Sequence, residues 1–312
     1  MTDSLNLNQP VIGNSANSSR RRLVSALSVK VTPSFMGFYS IALAVTTFLL
    51  MALGSATRVM DAGLACPDWP LCYGSVLPAE QMDLQVFLEW FHRLVASGVG
   101  LMTLIFAGLA WWRRDTLPQW LPWSAGGAVL LVIWQGILGG LTVTQLLKFE
   151  VVTAHLGTGL AFFAYLLVHG LILLTPLTTV SLRSAAVWAG AMATVLVYLQ
   201  SLLGGLVASR WAVHQCLDSQ ELCTVIYNHF WGIVPAVVST LWVVVLAWRK
   251  LRWFSFLLLG VLTAQLLLGY STYRLQLSIP ALTVMHQAIA AVLLGSLVAW
   301  TVLNCRSVDQ SS

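Results

Sequence analysis

Charge is what this sequence has least of. Its 312 residues include 16 basic and 11 acidic side chains, 9% charged in all, where a soluble domain carries roughly a quarter. With 58% hydrophobic residues and a mean hydropathy of +0.82, that scarcity excludes a water-soluble globule, because most side chains must face lipid or other apolar helices. Intrinsic disorder is excluded on the same ground. Ten prolines and 23 glycines are too few for a collagen-like fibre, and five cysteines in so long a chain do not make a small secreted disulfide scaffold. The pI near 9.1 invites a nucleic-acid reading, but the basic residues are scattered between apolar runs and form no basic face. No nucleic-acid partner is expected; lipid is.

Apolar stretches long enough to cross a bilayer occupy 36–55, 86–111, 122–144, 151–174, 184–207, 226–248, 252–273 and 281–303. They are too long for strands and lack period-two alternation, so the expected fold is an all-α integral membrane protein of eight transmembrane helices. Eleven of the 16 basic residues (Arg20, Arg21, Arg22, Lys30, Arg113, Arg114, Arg183, Arg249, Lys250, Arg252, Arg306) fall on one side of that arrangement. By the positive-inside rule that side is the cytoplasm, which places both termini inside and the long loops 56–85 and 208–225 outside. Residues 1–35 read as a polar cytoplasmic tail. A cleavable signal peptide is not expected, since no small-residue cleavage pattern follows the first apolar run. The modest length and absence of an evident presequence favour a bacterial plasma membrane over an organellar one.

A motif recurs along the odd-numbered spans: Gln135-Gly-Ile-Leu-Gly-Gly, Gln200-Ser-Leu-Leu-Gly-Gly and Gln265-Leu-Leu-Leu-Gly, with a worn copy at Met51-Ala-Leu-Gly54. After each comes an outer loop and then an even-numbered span with a histidine near its outer end: His92, His155, His229 and His286. Residues 36–178 and 180–306 therefore read as two copies of a four-helix bundle. The glycines are read as close helix packing in lipid.

Ionisable residues inside a span default to function. Two imidazoles from facing helices can hold a haem iron axially, and a bundle interior offers porphyrin an apolar wall. Pairing within each half joins His92 to His155 and His229 to His286. Zinc fits less well, because it wants three or four N/S ligands around one centre; a di-iron site wants several intramembrane carboxylates, and Glu89 is the one lying clearly within a span. Glu89 shares a helix face with His92, while Ile226 stands at the matching place in the second half. Proton-moving chemistry beside a haem needs a carboxylate and electron carriage does not. The first half is thus the candidate reaction site and the second the candidate seat of a permanent haem. The competing account of Glu89 is simple neutralisation by Arg93 one turn on. His169 reads as an interfacial polar residue near the inner surface, His214 as a loop residue, and Arg93, Arg58 and Arg274 as anchors at the interface or partners for haem propionates.

Cys66 and Cys72 lie in the first outer loop and Cys216 and Cys223 in the second, while Cys305 is alone inside. On the oxidising side this implies disulfides. Of three connectivities, proximity favours 66–72 and 216–223; a redox-active thiol pair is the alternative.

The stretch Arg58-Val-Met-Asp-Ala-Gly-Leu-Ala-Cys-Pro-Asp-Trp-Pro-Leu-Cys72, with Glu89-Trp-Phe-His-Arg93, Ala154-His-Leu-Gly157, Asn228-His229 and Met285-His-Gln287, resembles the haem A synthases. The resemblance covers 36–303. It implies an eight-helix membrane enzyme of two similar four-helix bundles that oxidises the C8 methyl group of haem O to a formyl group by two successive hydroxylations, supplying haem A for cytochrome oxidase. It also implies haem b held by His229 and His286, substrate haem O held by His92 and His155, Glu89 as catalytic acid/base, and a disulfide in each half. Partners then include haem O synthase, the oxidase assembly machinery and an electron acceptor outside the chain. A non-enzymatic di-haem cytochrome and a haem exporter would use the same four histidines without needing Glu89.

Overall fold

In a computed structural model the described residues are 31–175, 184–208 and 220–305, with side chains from 224 onward in the last segment. They form eight long helices: α1 (Pro33–Val59), α2 (Leu84–Trp112), α3 (Trp120–Thr144), α4 (Phe149–Leu174), α5 (Ala185–Val207), α6 (Gln220–Trp248), α7 (Arg252–Arg274) and α8 (Pro280–Cys305). A short 3-10 turn, Ala79–Gln81, interrupts the loop before α2. No strand occurs among the described residues beyond one isolated bridge between Cys72 and Ser75. All eight helices are long and apolar enough to span a membrane, and the chain is a multi-pass membrane protein.

Seven of the helices cover their expected spans and overrun them, and α5 starts one residue inside its own, with Ser184 as its cap; lengths run from 23 to 29 residues in place of the minimal twenty or so. Local chemistry sets several starts. Thr32 Oγ1 accepts from Phe35 N at 3.1 Å with Pro33 behind it, Asp83 Oδ1 accepts from Val86 N at 2.8 Å, and Ser184 Oγ accepts from Ala186 N at 3.2 Å. Each supplies an acceptor for a backbone N–H that the first turn leaves free.

The ends of α1, α3 and α7 are built alike. The N–H groups of Ala62, Leu147 and Leu277 reach back five residues to the carbonyls of Thr57, Thr142 and Thr272 at 2.8, 2.8 and 3.0 Å. The residue before each, Asp61, Leu146 or Gln276, takes a left-handed φ of 55°, 51° or 48°, which turns the chain sharply out of the helix.

Helix contacts run α1–α2–α3–α4–α1 and α5–α6–α7–α8–α5, closing two rings of four, and the rings meet where α4 packs on α5 and α8 and α1 packs on α8. Small residues set that seam. A Cβ at Gly205 would lie 2.7 Å from Leu156 Cδ2, and one at Gly295 3.1 Å from Phe163 Cζ, while Tyr198 Oη donates to the Gly157 carbonyl at 3.2 Å. In lipid there is no hydrophobic drive between helices, so this close approach and its hydrogen bonds carry the association. Arg58 adds a cross-tie, donating from Nη2 to the Gly205 carbonyl at 3.0 Å.

Candidate haem-binding histidines and the outer-loop clamp

His92, His155, His229 and His286 all lie in the first three turns of α2, α4, α6 and α8, beside the last turns of α1, α3, α5 and α7. The reason is steric. A Cβ on Gly54 would stand 2.7 Å from His92 Cε1, on Gly139 3.4 Å from His155 Cε1, on Gly204 3.1 Å from His229 Cε1 and on Gly269 2.8 Å from His286 Cε1. The imidazoles of His92, His229 and His286 thus lie against a bare backbone that any larger residue would crowd, and that of His155 lies at ordinary contact distance. His92 stands near His155, and His229 near His286. The Nδ1 atoms of His92, His155 and His286 are buried without a hydrogen-bond partner.

Between α5, α6, α7 and α8 a cavity of about 720 Å³ opens, a size typical of small-molecule and cofactor pockets. His229 and His286 both line it, among Val197, Ile233, Leu262 and Leu293, with Tyr273 and Arg274 also on its wall. Two imidazoles over an apolar cavity with an arginine ending α7 suit a flat apolar macrocycle carrying acidic side groups.

The first half carries a clamp. Cys66 and Cys72 are joined by a disulfide, their Cα atoms 4.8 Å apart. Glu89, 3% exposed, accepts from Cys66 N at Oε2 (2.8 Å) and pairs through Oε1 with Arg93 Nη2 at 2.5 Å. Arg93 in turn donates to the carbonyls of Asp68 (2.6 Å), Leu71 (2.5 Å) and Cys66 (3.2 Å). One ion pair therefore ties the disulfide loop onto the helix that carries His92. Trp69 covers the neighbouring helix end, its indole 3.2 Å from where a Gly140 Cβ would stand. Asp68 closes the loop tip by accepting from Tyr73 N and Gly74 N at 2.6 and 2.8 Å.

Those backbone donors, Gly74 foremost, hold the Asp68 carboxyl below its ordinary pKa. A depressed carboxylate stabilises the folded loop above its unfolded pKa and loses that contribution as pH falls through the folded one. Protease nicking of the loop in intact vesicles should accordingly be constant from neutral pH to about pH 5 and rise only in stronger acid; Asp68→Ala should show the raised rate at neutral pH as well.

Three outcomes depart from the sequence reading. Arg93 has its donors taken by the loop and Glu89, whereas Arg274 opens onto the second cavity. The glycines read as helix packing also seat the histidines. His169 is buried rather than interfacial, 3% exposed, its Nδ1 at 2.8 Å from the Tyr165 carbonyl and its ring boxed by Tyr165, Trp120 and Phe106 at 4.4, 5.6 and 6.3 Å. The threonines that finish α1, α3 and α7 went unnoticed, although the spacing Gly-x-x-Thr at Gly54, Gly139 and Gly269 was there to be read. Cys216, His214 and the side chain of Cys223 fall outside the described residues, as does nearly all of the 1–35 tail.

The model of the cytochrome oxidase assembly protein family COX15-CtaA matches residues 37–298. The chain belongs to that family. A heme A synthase from Shewanella oneidensis is 30% identical over 81% of this chain and 92% of its own length, and one from Rhizorhabdus wittichii is 26% identical over 85% and 92%. A protoheme IX farnesyltransferase from Haloarcula marismortui is 35% identical across 39% of this chain, which is 25% of that protein. The COX15-CtaA match runs from α1 into α8, so it takes in all four histidines, Glu89 and the disulfide loop.

Proposed function

We propose that this chain oxidises the C8 methyl group of haem O to the formyl group of haem A by two successive hydroxylations, as an oxidoreductase of CH or CH2 groups. The observation that carries the reading is the set of four glycine-seated histidines, gathered in pairs at one end of a membrane bundle whose family and relatives are those of haem A synthesis. Haem A from this reaction would go to a terminal cytochrome oxidase.

In this reading the chain is two pseudo-repeated four-helix units. The second, 180–306, keeps a resident haem b between His229 and His286; the cavity they share, its apolar walls and Arg274 support the fit. The first, 36–178, takes haem O between His92 and His155, and the buried, partnerless Nδ1 atoms of that pair support it. When bound, the iron of these groups supplies the redox chemistry. The protein's own part is to orient and enclose. The imidazoles fix the plane of the substrate, the glycines let them stand close to the helix backbone, and the clamped disulfide loop with Trp69 lies over the outer end and excludes water.

Glu89 is the proton acceptor. It lies one turn before His92, in contact with Arg93 and the Cys66 N–H, and would take up the proton lost as a methyl C–H is oxidised. A second disulfide, Cys216–Cys223, would brace the other outer loop. The charge distribution supports both termini on the cytoplasmic side of a bacterial plasma membrane. Haem O synthase is the proposed neighbour, a pairing supported by the segment shared with a farnesyltransferase-named protein.

Glu89→Gln tests the assignment, because the amide keeps the size and an acceptor for Cys66 N but not the charge. Membranes supplied with haem O should hold no formyl haem by mass, while the haem b absorbance persists. Wild-type amounts of haem A in this variant would remove Glu89 from the chemistry.

A further inference from the structure

The exposed wall of the cavity between α5, α6, α7 and α8 lies on one side. Its described wall residues from α4, α5 and α8 are buried or half-buried, whereas Phe230 of α6 and Leu266, Tyr270 and Tyr273 of α7 are exposed, with Arg274 and Gln276 exposed where α7 ends. Because α5 and α8 carry the seam with the first half, α6 and α7 form the side of this ring that faces lipid. Leu266, Tyr270 and Tyr273 share one helix face and make a stripe about 10 Å long at helical rise. That stripe runs from the outer rim down into the hydrocarbon. At its top the rings of Phe230 and Tyr273 meet edge to face, their centroids 5.0 Å apart, and join α6 to α7 beside Arg274. Deeper along α6 stands Pro235, inside the helix. It has no N–H to donate to the Trp231 carbonyl one turn back, so α6 bends there more readily than an unbroken helix would. The segment outside that point carries His229, Phe230 and Ile233, and a bend at Pro235 moves one wall of the cavity together with one of its imidazoles.

We propose that the second cavity opens sideways into the outer leaflet between α6 and α7, and that its flat apolar macrocycle enters and leaves from the lipid through this mouth, with the Phe230–Tyr273 pair as latch and Pro235 as hinge. The proposal rests on the reading of that cavity as a haem site.

Phase preference favours this route. An apolar macrocycle with acidic side groups settles in a bilayer with its ring among the acyl chains and its acids at the headgroups. The cavity offers the same orientation, with apolar walls at depth and Arg274 at the outer rim. A sideways move keeps the acids at one level throughout. It requires neither passage of the ring through water nor burial of a carboxylate in hydrocarbon. Two rings in edge-to-face contact suit a latch, because they attract only modestly and are readily parted. In the first half the residue matching Phe230 is Arg93, whose guanidinium is committed to the disulfide loop, so α2 carries a clamp where α6 carries the latch.

The test uses the full-length protein in lipid nanodiscs and measures two rates: release of haem b into excess apomyoglobin, and uptake of haem b from loaded vesicles by protein made in haem-starved cells. A residue on the route alters both rates by one factor and leaves the equilibrium affinity and the bound spectrum as they were. A residue that merely packs against the macrocycle alters release and affinity instead. Pro235→Ala, which removes the hinge, and Leu266→Trp, which fills the mouth at hydrocarbon depth, should each slow both rates about tenfold, as a barrier raised by about 1.4 kcal/mol requires. Phe230→Ala should speed both. Leu267→Trp, exposed on the same helix but off the cavity wall, should change neither. Should Leu266→Trp not accumulate in membranes, Pro235→Ala decides. The proposal is overturned if Pro235→Ala, Leu266→Trp or Phe230→Ala keeps the wild-type rates, if release changes while uptake does not, or if Leu267→Trp slows exchange as much as Leu266→Trp. Haem b content that survives both His229→Ala and His286→Ala would overturn the haem-site reading itself, and that result appears before any rate is measured.

Discussion

An Arg93→Leu variant is expected to lose about 3–5 kcal/mol of stability, the usual consequence of removing one partner of a buried ion pair and stranding the other. Leucine roughly fills the aliphatic part of the arginine, so the loss comes from chemistry rather than from a void. Glu89 would keep a carboxylate oxygen with no counter-ion at 3% exposure, and the carbonyls of Cys66, Asp68 and Leu71 would lose their shared donor. Because those carbonyls all belong to the disulfide loop, the damage should be local before it is global. The loop should become open to protease while the helices hold, and thermal unfolding in detergent should fall by several degrees. The double variant Arg93→Leu/Glu89→Leu removes the stranded charge and should recover part of the stability, but not all of it, because the Cys66 N–H and the three loop carbonyls still lack partners. If the single and double variants melted together, the ion pair would not be what holds the loop down. Haem b absorbance should survive in both, because the clamp touches only the first half.

Gly269→Leu should have the opposite distribution of effects. The first atom of any side chain there would stand 2.8 Å from His286 Cε1, closer than carbon atoms tolerate, and a leucine adds three more carbons to the wall of a cavity of about 720 Å³. The helix should persist, since leucine is a good helix former and glycine a poor one. The imidazole cannot stay where it is. Haem b content of the purified protein should fall to near zero, as in His286→Ala, while the Cys66–Cys72 loop keeps its protease resistance. Gly260, whose Cβ would meet nothing within 4 Å, gives the control: Gly260→Leu on the same helix should bind haem b normally. Retention of a wild-type haem b spectrum in Gly269→Leu would mean that the glycine seat does not position His286.

The four histidines were readable from sequence because so few ionisable residues exist that each one inside an apolar run demands a reason. The pairing of Cys66 with Cys72 was readable from compartment and proximity. Glu89 was visible as a residue but its setting was not: Arg93 four positions on suggested a local pair, and nothing in the sequence indicates that the same guanidinium gathers three carbonyls of a loop more than twenty residues away. The burial of His169 was hidden for a related reason. Its distance along α4 put it near the inner surface, but exposure depends on what packs beside it, and the rings of Trp120 and Phe106 arrive from α3 and α2. The glutamines are visible in the sequence as a repeat without a role, because sequence carries their period but not the partner each one meets.

By itself the sequence determined that this chain crosses a membrane eight times, which side its charges favour, and that four histidines share one address. These follow from length, apolarity and the expense of placing an ionisable group in lipid, all of which are properties of a segment taken alone. Only the tertiary structure decided that each histidine sits against the glycine of a neighbouring helix, that Glu89 and Arg93 hold down the disulfide loop, and that Gln200 meets the His229 imidazole. Those are relations between segments brought together by packing, and a helix's own periodicity fixes which residues share its face but not what stands opposite them.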